Sequence, residues 1–134
     1  MKEKETQFSL RSRFESFKHA LRGLGDMLSS QHNAWVHAIM TILVLNLSWW
    51  LGIDRGGLAL IVIAIAMVWV AEAFNTVLEI IADVVSGKTY SDLIRRAKDI
   101  AAAGVLITAI GAVAIGLIVF GPRFYDRIYP LLHR

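Results

Sequence analysis

"LALIVIAIAMVWVAEAFNTVLEIIADVV", Leu58 to Val85, begins with fourteen uninterrupted apolar residues and then sets three carboxylates and an asparagine on the same helical pattern. As a helix its 28 residues measure about 42 Å at about 1.5 Å each, more than the roughly 30 Å of a hydrocarbon core. The segment therefore reads as a membrane-crossing helix whose second end projects into water. Acids at membrane depth are costly, about 2.5 to 3.5 kcal/mol each at the centre on insertion scales, so their placement calls for a reason.

Two more runs are long enough to cross. Ala34 to Leu51 is free of formal charge apart from His37 when protonated, and Ile100 to Phe120 carries no charge. The whole chain has 134 residues, 56% of them hydrophobic and 19% charged, with a mean hydropathy of +0.55. That leaves too little polar surface to cover a soluble globule. The expected fold is an all-α integral membrane protein in one domain, 1–134. It has an N-terminal amphipathic surface helix within 1–30 and transmembrane spans at 34–51, 58–81 and 100–120. No repeat is present, the N-terminus lacks the pattern of a signal peptide, and the absence of cysteine excludes disulfides and thiol catalysis.

Lysine and arginine set the orientation. Lys2, Lys4, Arg11, Arg13, Lys18 and Arg22 precede the first span, and Lys88, Arg95, Arg96 and Lys98 lie between the second and third, ten on one side. Arg55, Arg123, Arg127 and Arg134 make four on the other. The positive-inside rule puts the N-terminus and the 88–98 loop in the cytoplasm; the resemblance described below implies that the membrane is the inner (cytoplasmic) membrane of a bacterium. The net charge of +3 fits topology and anionic lipid; nucleic acid is a poor match.

Ahead of the first span, Phe8, Leu10, Phe14, Phe17, Leu21, Leu24 and Leu28 recur at three- and four-residue steps opposite Arg11, Arg13, Glu15, Lys18 and Arg22. This is an interfacial amphipathic helix, serving as an anchor or as a lid over a site. "SSQHN", Ser29 to Asn33, breaks it, with Asn33 expected as the next helix's N-cap. Trp35, Trp49 and Trp50 fall where aromatic belts form, and His37 and Asn46 are expected to hydrogen-bond to neighbouring helices. "GIDRGG" is a tight outer turn, and Gly121 and Pro122 are expected to stop the last helix. Ala101, Ala102, Ala103 and Gly104 form a small-residue surface that lets another helix approach.

At 100° per residue, Glu72, Asn75, Glu79 and Asp83 fall within an arc of about 80°. Glu72 lies about 16 Å deeper than Asp83 along the axis. Lys98 and Asp99 return to the same side at the start of the third span. A deep acid, shallower acids and a lysine at a cytoplasmic mouth suit phosphoryl transfer from a nucleotide to a lipid hydroxyl, because Mg²⁺ is held by one or two carboxylates plus phosphate oxygens while another carboxylate acts as base. A buried network that fixes helix register and an ion-conducting path fit the same stripe. Geometry alone does not choose among them. "SGKT", Ser86 to Thr89, is no P-loop, since Ala82 stands where a glycine is required and no strand precedes it. No zinc spacing, kinase glycine loop or Ser/His/Asp order is present.

The pattern Glu72, Asn75, Glu79, Asp83, then Ala97, Lys98 and Asp99 across a short loop resembles the prokaryotic diacylglycerol kinase and undecaprenol kinase family, as do "SFKHALRGL" at Ser16 to Leu24 and "NAWVH" at Asn33 to His37. The likeness runs from about Phe14 to Pro122. It implies a homotrimeric membrane lipid kinase using ATP with Mg²⁺. Carried over by position, Glu72 is the general base, Glu79 binds the metal, and Ser16, Asn75, Asp83, Tyr90, Lys98 and Asp99 surround the nucleotide. Two positions depart from the pattern. Gln31 stands where the family often has a metal-binding glutamate, offering a carbonyl oxygen without charge, and Ser91, next to Tyr90, replaces a loop histidine. The "FGPRF" ending and the N-terminal segment look more like the undecaprenol kinase branch, with diacylglycerol as the other acceptor and a weakly catalytic membrane scaffold or ion path as the reading outside enzymes.

Overall fold

The computed structural model describes residues 10–87, 89 and 91–132, with side chains through 129. Four helices follow one another: α1 Leu10–Ser30, α2 His32–Leu51, α3 Arg55–Ser86 and α4 Asp92–Leu132. The last three are long and apolar enough to cross a membrane. Each expected span lies inside one of them. Leu10, Phe14, Phe17, Leu21 and Leu24 of α1 are all exposed, so its apolar face is left for a surface other than this chain, and Met27 alone anchors the helix as a buried residue. The spans likewise expose Ile63, Leu106, Ile118 and many other large apolar side chains, as expected where lipid is the solvent.

α1 and α2 meet at one non-helical residue, Gln31, whose backbone is extended at φ −113° and ψ 118°. The expected N-cap, Asn33, is instead inside the first turn of α2, and Gln31 occupies the cap position without capping. The reason is local: the Gln31 side chain reaches across to α3, and α1 continues to within one residue of α2, leaving no free coil for an Asn33 cap.

At the α2–α3 turn, Gly52 takes φ 64°, the left-handed conformation that glycine adopts without a Cβ clash, and closes α2 with bonds from Gly52 N–H to Trp49 O and Ile53 N–H to Ser48 O. Asp54 then caps α3, accepting from the Gly57 N–H at 2.8 Å. Gly57 itself lies close to α4: a Cβ there would stand 2.8 Å from Ile53 Cγ2 and 3.1 Å from Val119 Cγ1. α3 and α4 form the principal packed pair, and Gly87, again left-handed at φ 53°, closes α3 at the turn between them.

Two further expectations change. α4 does not stop at Gly121 and Pro122 but runs through them for ten more residues, and Gly121 is not left-handed. A helix-interior proline forfeits one backbone bond, yet contacts past it hold the extension: Arg123 reaches Asp54 at 3.3 Å, Phe124 packs edge-on to Trp50 at 6.3 Å, and the Arg127 guanidinium lies 5.2 Å over the Trp50 ring. Asn46 does not bond to another helix; its amide donates to Ile42 O of its own turn at 2.7 Å.

Candidate functional site

The stripe on α3 is graded in burial as it rises. Glu72 is 0% exposed, Asn75 is 4% exposed, Glu79 is half-buried and Asp83 is exposed. The gradient runs in the same order along α3 as the four positions in sequence and gives each carboxylate a different degree of cover by the chain. Helix periodicity aligns the four, and α2 and α4 supply the partners.

At the deep end both Glu72 carboxylate oxygens are buried without a hydrogen-bond partner, and His37 of α2 approaches with Nε2 3.6 Å from Oε2. One turn higher, the Asn75 amide donates to Glu79 Oε1 at 3.1 Å, and the Gln31 amide donates to Glu79 Oε2 at 3.3 Å. Asn75 Oδ1 is buried and unpartnered. At the top, the Lys98 ammonium donates to Asp83 Oδ1 at 2.7 Å, joining α4 to α3, while Arg95 bonds Asp99 and Asp92, each at 2.9 Å. Asp83, Lys98, Asp99, Arg95, Ser91 and Thr89 line an open polar hollow of about 510 Å³ between the two helix ends. That volume lies in the range of about 300–1,000 Å³ usual for small-molecule sites.

The structure thus brings Gln31, Asn75 and Glu79 into one cluster and Asp83, Lys98 and Asp99 around a second, on one helix face. Ser16 stands apart from both on the exposed part of α1, its hydroxyl donating to Ser12 O at 2.9 Å. Tyr90 lies outside the described residues.

No group of three or more acidic, histidine or cysteine side chains among the described residues could cage a metal by itself. The oxygens of the middle cluster nevertheless fit Mg²⁺. One half-buried carboxylate, the orphaned Asn75 Oδ1 and the Gln31 carboxamide are hard ligands, and Mg²⁺ is usually held by one or two carboxylates with substrate phosphates completing its shell.

Beside Glu72, on the side away from Asp83, an apolar groove of about 850 Å³ opens between α2, α3 and α4. It starts at His37 and Trp69 beside the deep acid and ends at Tyr129. From Ala109 to Tyr129 the α4 side of the groove runs about 30 Å, the thickness of a hydrocarbon core.

A stripe of this form, matched across a short turn by Lys98 and Asp99, invites comparison with known families. The family model described as prokaryotic diacylglycerol kinase matches residues 18–120. The chain belongs to that family. Its relatives include a diacylglycerol kinase of Synechocystis, 32% identical over 101 residues, which are 75% of this chain and 58% of that protein. An undecaprenol kinase of Bacillus subtilis is 29% identical over 123 residues, 92% of this chain and 99% of that one. A diacylglycerol kinase of Escherichia coli is 26% identical over 115 residues, 81% and 93% of the two chains. The chain therefore spans under two thirds of the Synechocystis relative and nearly the whole of the other two.

Within this lipid kinase family member, two features escape sequence reasoning. His37 is expected to hydrogen-bond to a neighbouring helix and instead approaches Glu72 of α3 at 3.6 Å, just beyond a hydrogen bond; nothing in the spacing pairs the two, because they are on different helices. The Trp69 indole N–H donates to Thr41 Oγ1 at 3.0 Å, fastening α2 to α3 beside the deep acid, and only a packed structure reveals that. Arg95 was legible: its steps of three and four to Asp92 and Asp99 are the spacings at which helix side chains meet.

Proposed function

We propose that the protein transfers the γ-phosphoryl group of ATP to the hydroxyl of a membrane lipid, most simply the polyprenol alcohol undecaprenol. The observation that carries this reading is the burial gradient of the stripe, which runs from buried Glu72, behind the His37 and Trp69 end of an apolar groove, to an open hollow at Asp83 and Lys98. A greasy alcohol and a soluble phosphate donor need that junction.

Glu72 is the general base. Buried with both oxygens unpartnered, it accepts the acceptor hydroxyl proton as that oxygen attacks the γ-phosphorus. Lys98 and Asp99 orient the nucleotide in the hollow, and Asp83 fixes the Lys98 ammonium. Glu79, Asn75 and Gln31 hold Mg²⁺, which when bound supplies positive charge against the phosphates. Positioning and electrostatics do most of the work in phosphoryl transfer, so a chain without a nucleophilic side chain at the site is sufficient.

Undecaprenol is favoured over diacylglycerol by the end-to-end match to an undecaprenol kinase. The higher identity to a diacylglycerol kinase supports the other acceptor. Labelled γ-phosphate transfer to each lipid in mixed micelles tests this. Faster labelling of undecaprenol is expected; faster labelling of diacylglycerol reverses the assignment, and labelling of neither refutes lipid phosphorylation. The cytoplasmic placement of the 88–98 loop and a homotrimeric assembly belong to the same proposal.

A further inference from the structure

Glu72 is the one completely buried large side chain among the described residues, and it is a carboxylate that no hydrogen bond holds in place. A base with free torsions loses much of the advantage of proximity, since misplacement by about 1 Å can cost roughly 100-fold in rate. The polar group that faces it is His37, 3.6 Å from Nε2 to Oε2. That distance is just beyond a hydrogen bond, and such contacts commonly tighten only in the loaded complex.

The imidazole is itself framed. The Trp69 ring meets it edge-on at 6.5 Å between centroids, the Trp69 N–H is fixed on Thr41 Oγ1, and the Thr41 hydroxyl donates to the His37 carbonyl at 2.7 Å. His37 also lines the groove, and its side chain is 16% exposed. It therefore stands between the path of the alcohol and the buried acid, on a helix that carries neither the metal cluster's carboxylate nor the lysine.

We propose that His37 is the positioning residue of the transfer, its ring N–H turning the Glu72 carboxylate toward the hydroxyl that enters through the groove. This rests on Glu72 being the base. As the acceptor oxygen bonds to the γ-phosphorus and the bond to the ADP oxygen breaks, the hydroxyl proton passes to Glu72. His37 keeps its own proton throughout.

The test compares His37→Leu, His37→Gln, Glu72→Gln and the double variant His37→Leu/Glu72→Gln in detergent, reading kcat, KM for MgATP and nucleotide affinity. His37→Leu is expected to lose on the order of 10- to 100-fold in kcat with KM for MgATP and nucleotide affinity unchanged. His37→Gln, whose amide reaches about as far as Nε2, is expected to recover most of that loss, and His37→Leu is expected to cost nothing further once Glu72 is Gln. Full kcat in His37→Leu beside an inactive Glu72→Gln overturns the positioning role and leaves the base intact. An active Glu72→Gln overturns the base assignment itself. Should the Leu variant fail to bind nucleotide through misfolding, His37→Gln and His37→Asn decide: a fast Gln and a slow Asn variant support the proposal, and equal rates contradict it.

Discussion

Glu79 receives two amide donors while Glu72 receives none, although both are glutamates on one face of one helix seven residues apart. That difference separates their chemistry. In the proposed division, Glu79 binds the cation once the two carboxamides turn their oxygens toward it, and buried Glu72 keeps both oxygens open to accept a proton. Glu72→Gln keeps the volume and removes the proton acceptor, so transfer should fall by at least about 100-fold while MgATP binding, followed by calorimetry in detergent, stays as in the wild type. Gln31→Glu tests the other end of the division. A second unit charge near 4 Å is worth about 1 kcal/mol in water and about 4 kcal/mol at the screening usual near a protein surface, so Mn²⁺ binding without nucleotide, read by electron paramagnetic resonance, should tighten by about tenfold or more. Unchanged Mn²⁺ affinity would remove Gln31 from the metal cluster. The relative depths of Glu72 and Asp83 could be read from helical spacing because they share a helix. The contacts of Gln31 with Glu79 and of His37 with Glu72 could not, because each joins two helices and spacing carries no information across a turn.

Helices α2, α3 and α4 were legible as apolar runs, but their ends depended on tertiary contacts. Pro122 argued for a stop, and α4 instead continues because Asp54 and Trp50 hold Arg123, Phe124 and Arg127 beyond it. Asn33 argued for a cap, and Gln31 took the position while its side chain served Glu79. The Asp54 carboxyl makes the outer latch sensitive to acid. The Gly57 N–H first, and then the Arg123 guanidinium, hold it below the ordinary value of 3.8. A depressed carboxylate contributes stability that is present above that ordinary value and lost as pH falls through the lower folded one. Asp54→Ala should therefore melt at a lower temperature than the wild type at neutral pH, and the gap should close as the pH drops below about 3.8. Thermal scans in detergent at several pH values check this, and a gap independent of pH would show that the carboxylate charge plays no part.

Over the whole molecule, the four helices set an apolar groove and an open hollow at opposite ends of one acidic stripe. α4 has no buried residue in its membrane window and exposes its apolar surface along its length, so a lone chain leaves much of that surface to lipid or to further copies. Light scattering in detergent should give the mass of three chains for the proposed trimer; a single-chain mass would exclude it. The arrangement works only if the hollow faces the compartment that holds ATP. Because the chain has no cysteine, a single thiol can report on this without background. Ser91→Cys and Gly56→Cys, each probed in intact cells with a membrane-impermeant maleimide, test it most directly. The account predicts labelling of position 56 from outside and of position 91 only after the membrane is breached; labelling of position 91 in intact cells would contradict it.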